Sequence, residues 1–220
     1  MTKNGRMKNA TKHAEELRSL FKRLLKEHKG SIAPLQKQEA LRALVRGAMS
    51  YDVPDAKADE AMARIDKEFV DLNELRVATD LEVAELLGTR YPDIDNRVEM
   101  ITRVLNAIFE REHTLNLERL GTLGKRDVRQ FLRELPDLHP FVDAYVMLFS
   151  FDGACVPVDE VMLNYLRDQE IVEDDATIAD AQKFVEHQIK AEECYELYAV
   201  LRRAALAFAE GEGKRKSKKG

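Results

Sequence analysis

At 220 residues, with 45% hydrophobic and 34% charged side chains, the chain is long enough to bury a core in one large domain or two small lobes. No run approaches the roughly 18 apolar residues needed to cross a bilayer, and the start (MTKNGRMKNATKHAEE) lacks the apolar stretch of a secretory signal. The expectation is an intracellular protein, in cytoplasm or nucleoid, or in the nucleus of a eukaryote, with no membrane partner. Cys155 and Cys194 are the only cysteines and the five histidines are scattered, which excludes a disulfide framework and a zinc site. The net charge of −5 is uneven: residues 1–30 carry nine Lys/Arg against three Glu, residues 211–220 carry five against one, and the remainder holds −15. Basic ends on an acidic body suit phosphate contacts, through counterion release, or simply solvated tails.

Residues 1–9 are expected to be disordered. From Ala10 to Lys29, Ala14, Leu17, Leu20, Phe21, Leu24 and Leu25 recur at helical spacing, and Gly30 is placed to stop that helix. Leu35 to Met49 and Ala56 to Phe69 repeat the pattern. Thr79-Asp80-Leu81-Glu82 reads as a capping box opening a short helix that Gly88 closes. A polar link at Tyr91 to Asp95 precedes a helix from Asn96 to Arg111, and Leu117 to Leu120 and Lys125 to Leu135 complete this half. Nine basic residues lie between Arg90 and Arg133, Arg97, Arg103, Lys125, Arg126 and Arg129 among them, a locally basic region. Next comes Leu135 to Asp159, LPDLHPFVDAYVMLFSFDGACVPVD: a tight turn, an apolar helix from Phe141 to Phe151 that Pro140 can start, a turn at Asp152-Gly153, and then Val158-Asp159. Helices are expected over Val161–Asp168, Ile178–Ile189 and Glu192–Glu210, before a disordered basic tail at 211–220. No stretch alternates as a strand, so the fold class is all-α.

Leu135-Pro136, the helix around Val146 to Ser150, and Pro157-Val158-Asp159 together resemble the helix-hairpin-helix and aspartate region of the endonuclease III superfamily of DNA glycosylases, with the spacing kept. Phe69 to Leu75 and Ile101 to Ile108 are similar to that family's intervening helices, so that the resemblance spans roughly 39–205. It implies two helical lobes, one of residues 39–152 and one of residues 10–38 with 153–210, with a cleft between them, in a monomer that acts on double-stranded DNA carrying a damaged or mismatched base. With two cysteines the family's four-cysteine iron–sulfur loop cannot be built, and no cofactor or metal is expected.

By the same resemblance Asp159 is the catalytic candidate. A carboxylate facing a flipped sugar favours the oxocarbenium-like transition state and helps activate water. The same residue can instead cap the helix that starts at Glu160. The position of the family's Schiff-base lysine is Phe141, which excludes amine attack there and points to a monofunctional hydrolysis of the N-glycosidic bond. The DNA-contacting candidates are Tyr51, where the family's stack-filling glutamine stands, with Leu138, His139 and Phe141, the last as an aromatic wall for a base. Tyr51 can equally pack against a neighbouring helix. Both hairpin glycines are replaced, by Asp137 and His139, and an ionised Asp137 repels a phosphate by about 1 kcal/mol at 4 Å in water. A DNA-binding relative without catalysis, or a helical interaction module, are the alternatives.

Overall fold

The computed structural model describes residues 10–28 and 30–217, with side chains at 11–28 and 30–211. Among these residues the chain forms eleven α-helices and two short 3₁₀ turns, with no strand. It divides into two units, one of residues 1–36 and 154–220 and one of residues 37–153. The disorder expected at 1–9 falls outside the described residues.

The first unit begins with α1 (Ala10–Glu27), whose buried face is Leu17, Leu20, Phe21 and Leu24. It continues in α9 (Glu160–Asp168), α10 (Ile178–Gln188) and α11 (Cys194–Ser217). Helix α11 packs against α1 and α9, and its apolar positions Leu197, Leu201 and Ala205 are fully buried. Helix α9 ends with Glu170 in the left-handed region (φ 55°), and the Ile171 N–H bonds back to the Leu166 carbonyl at 2.9 Å. This is a Schellman stop made without glycine. The Nδ1 of His13 meets the Glu170 carbonyl at 2.9 Å and ties α1 to that turn. Residues 211–217, expected to be disordered, continue α11.

The second unit holds α2 (Ala40–Ser50), α3 (Asp55–Glu68), α4 (Leu72–Val77), α5 (Asp80–Leu87), α6 (Ile94–Glu112), α7 (Lys125–Arg133) and α8 (Pro140–Ser150). Helix α2 starts at Ala40 and not at Leu35. Glu39 caps it by accepting the N–H groups of Leu41 and Arg42, and the Gln38 N–H is already bonded to the Phe149 carbonyl. Helix α5 carries the expected capping box, with Gly88 (φ +91°) closing it. The centre of the unit is the pairing of α2 with α8. Gly47 permits it, because a Cβ there would lie 3.2 Å from Tyr145 Cδ1. From Phe141 to Phe149 every residue of α8 is buried, as expected of a helix apolar on all sides.

Candidate functional site

The turn between α7 and α8 keeps a left-handed residue. Asp137 has φ 54°, a conformation that Asp tolerates better than most side chains. Its carboxylate is bonded to Arg103, which also holds Glu99, so a neighbouring cation offsets the repulsion expected of it toward a phosphate. His139 caps α8: its Nδ1 accepts the Phe141 N–H at 3.2 Å, so any ring proton is on Nε2 when the imidazole is neutral. Leu138, between them, is half-buried.

Tyr51 is not a free wedge. It is 8% exposed and lies in a three-layer stack, with the His139 ring parallel to it at 4.2 Å and the Arg97 guanidinium 3.6 Å from its centroid on the Arg97 side. Burial pushes the Tyr51 hydroxyl above its ordinary pKa, with Arg97 pulling it back. Arg97 is itself 1% exposed and donates to the carbonyls of Pro92, Ala48 and Tyr51 at 2.7, 2.6 and 2.7 Å. It thereby closes the C-terminal end of α2, where the carbonyls have no helical partner. Burial lowers its pKa, offset in part by Tyr51 and Tyr91. Sequence reasoning had placed Arg97 only in a basic region. Its position at i+3 from Ile94 and four before Ile101 put it on the buried face, and that spacing could have found it.

Phe141, expected to wall a base pocket, has no exposed surface. Its ring stacks against Tyr145 at 5.9 Å and tilts toward Tyr51 at 6.3 Å. It is a core side chain, held there by the same apolar run that makes α8 a buried helix. The basic region is also largely neutralised. Arg111 pairs with Glu134, Arg119 with Glu112, and Arg129 and Arg133 approach Asp143 at 3.5 and 3.4 Å. Asp143 is buried, and burial raises its carboxyl above the usual range against the pull of the two arginines.

Asp159 belongs to the first unit and is 0% exposed. It caps α9, Oδ1 accepting the Met162 N–H at 2.9 Å, while Oδ2 pairs with Arg202 Nη1 at 2.9 Å. Arg202, from α11, is itself 2% exposed. Sequence reasoning missed it, although it stands four residues after the buried Tyr198 and three before Ala205, inside the apolar stripe of that helix. A carboxylate with one oxygen on a backbone N–H and the other on a guanidinium, and with no surface, is built to hold α9 against α11. Among the described residues no group of three or more His, Cys, Asp or Glu is arranged to hold a metal. Among the described residues no helix is long and apolar enough to cross a membrane. Cys194 is buried, with its thiol pushed up to about 11 by burial and by Glu186, Glu193 and Glu192, and is inert as a nucleophile.

No family model matches the sequence, and no curated protein matches it significantly. Solved structures do. Endonuclease III trapped as a covalent intermediate with DNA superposes with a TM-score of 0.67 at 14% identity, over 86% of this chain and 84% of that one. The 8-oxoguanine glycosylase/lyase of Clostridium acetobutylicum, in complex with double-stranded DNA, gives 0.66 at 16% identity over 89% and 70%. The 3-methyladenine DNA glycosylase MagIII of H. pylori, bound to 1,N6-ethenoadenine, gives 0.63 at 12% identity over 92% and 99%. With its helices in this order and agreement over most of both chains, the protein has the all-α fold of the endonuclease III-like DNA glycosylases.

Proposed function

We propose that this chain binds double-stranded DNA on a glycosylase scaffold from which base excision has been lost. The observation that carries the loss is Asp159: buried, capping α9 and paired with Arg202, it has no surface to offer a sugar or a water. The DNA half of the proposal is supported by the solved structures of similar fold, several of them DNA complexes. It is also supported by the left-handed Asp137, which keeps the turn before α8 in shape while Arg103 screens its charge. Phe141, where amine chemistry would need a lysine, is core.

A monofunctional glycosylase is the second reading, favoured by the placement of Asp159 at the N-cap of α9, directly after Pro157-Val158. One experiment separates the two. Duplexes carrying a panel of damaged or mismatched bases are incubated with the parent and with Asp159→Asn, then treated with alkali to reveal abasic sites. The expected result is salt-sensitive binding by both proteins and no alkali-labile product from either. Strand breaks that require alkali and appear with the parent alone would establish excision and overturn the proposal. Absence of binding at low salt would leave a helical interaction module.

A further inference from the structure

In the second unit several arginines are neutralised by a carboxylate: Arg42 by Asp66, Arg46 by Asp59, Arg103 by Asp137 and Glu99, Arg111 by Glu134, Arg119 by Glu112. Three cations without such a partner share one place. Lys57 and Arg64 on α3, and Arg90 just after α5, line a concavity of about 300 Å³ with Gly88, Tyr91 and a single acidic residue, Glu60. Among the described residues no carboxylate lies within ion-pair distance of any of the three. What they do meet is uncharged. Lys57 Nζ donates to the Arg90 carbonyl at 3.1 Å and lies 5.3 Å from the Tyr91 centroid, and Arg64 Nη1 donates to the Leu86 and Leu87 carbonyls at 3.3 and 3.1 Å.

These contacts fix two of the cations in position without cancelling their charge. Carbonyls at the end of α5 orient the Arg64 guanidinium and leave its other N–H groups for a second acceptor. Gly88 lines the concavity with a backbone at φ +91°, which favours glycine. Tyr91, buried with its hydroxyl donated to the Met49 carbonyl at 2.5 Å, is a rigid wall. A larger concavity in the first unit, about 540 Å³, sets Lys12 and Arg23 against Glu15 and Glu16 and is balanced. The concavity on α3 is not.

We infer that the concavity formed by Lys57, Arg64 and Arg90 is a phosphate-binding site. Uncompensated, pre-oriented guanidinium and ammonium groups in a concave surface match a phosphate's charge and its several acceptor oxygens. The site stands on its own charge and does not require the proposed loss of excision. Its phosphate comes either from a DNA backbone or from a free phosphorylated ligand.

The test uses the full chain with Lys57→Gln and Arg90→Gln. Arg90 carries no helix cap through its side chain, so that variant should keep the parent's melting temperature in chloride, and Arg64 is left in place. Affinity for an undamaged duplex is measured against salt concentration. Melting temperature is measured in sodium phosphate and in sodium chloride of equal ionic strength. If the backbone is the ligand, each substitution lowers the slope of log affinity against log salt by about 0.9, and inorganic phosphate shifts nothing. If the ligand is free, phosphate raises the parent's melting temperature with concentration, the rise is lost in Arg90→Gln, and the duplex slope is unchanged. Unchanged slopes together with no phosphate effect would overturn the site. A parent that binds no duplex at all would remove the DNA proposal while the phosphate arm still decides the site.

Discussion

Two buried arginines set the residue-level chemistry, and their costs are asymmetric. Replacing Arg202 by Met leaves the Asp159 carboxylate buried without its cation and should destabilise the protein by about 3–5 kcal/mol. Asp159→Asn in that background removes the stranded charge, so the double variant should be more stable than Arg202→Met alone. Urea unfolding at neutral pH checks both. Asp143 gives a pH signature. Burial raises its pKa in the fold, so folding favours the protonated form. The stability that it contributes is fully present below the unfolded value, about 3.9, and lost as pH rises through the folded one. Asp143→Asn should therefore raise the melting temperature at neutral pH, with the gain shrinking as pH falls toward the ordinary carboxylate range. At Asp137, Ala should cost about 1–2 kcal/mol because φ is positive. Gly should fold as well as the parent and bind duplex DNA more tightly, since it removes a negative charge from the turn, which a filter-binding comparison reads directly.

At the scale of elements, periodicity and caps made the helices legible in the sequence. The Thr79 capping box, Gly88, Pro140 and the apolar run of α8 are all local signals, and each element formed where its signal lay. The start of α2 was not legible, because the residues before Glu39 are held extended by a bond from Gln38 to Phe149, a partner more than a hundred residues away. The partners of Tyr51 and Asp159 were hidden for the same reason: Arg97 and Arg202 lie on other helices, and a basic residue reads as solvated until its neighbours are known. The α2–α8 contact adds a prediction of its own. Gly47→Ala should be near neutral, its gain of about 1 kcal/mol in helix propensity offset by the 3.2 Å approach to Tyr145. Gly47→Leu should cost about 1–3 kcal/mol by overpacking, measured as a shift in the denaturation midpoint.

For the whole molecule, the distribution of charge matters more than its sum. The net −5 argues against any broad electrostatic attraction to DNA, and pairing within the second unit removes most of the basic region from play. Affinity then depends on a few uncompensated groups and on the basic ends. Deleting residues 211–220 should lower the salt slope of duplex binding if those residues meet phosphate, and leave the melting temperature unchanged because α11 is anchored by Leu197, Leu201 and Ala205 well before them.

The turn that ends α8 also bears on how the polypeptide ages. Asp152-Gly153 is the aspartyl pairing most prone to succinimide closure and isoaspartate formation, in which the glycine amide nitrogen attacks the aspartyl carboxyl with loss of water. Here that N–H is bonded to the Met147 carbonyl at 2.8 Å, the carboxylate is paired with Lys37 Nζ at 2.6 Å, and the approach of Gly153 to Met147 is too close for any Cβ. Folding thus shelters a chemically fragile peptide bond, and isoaspartate should accumulate at Asp152 in urea far faster than in native buffer.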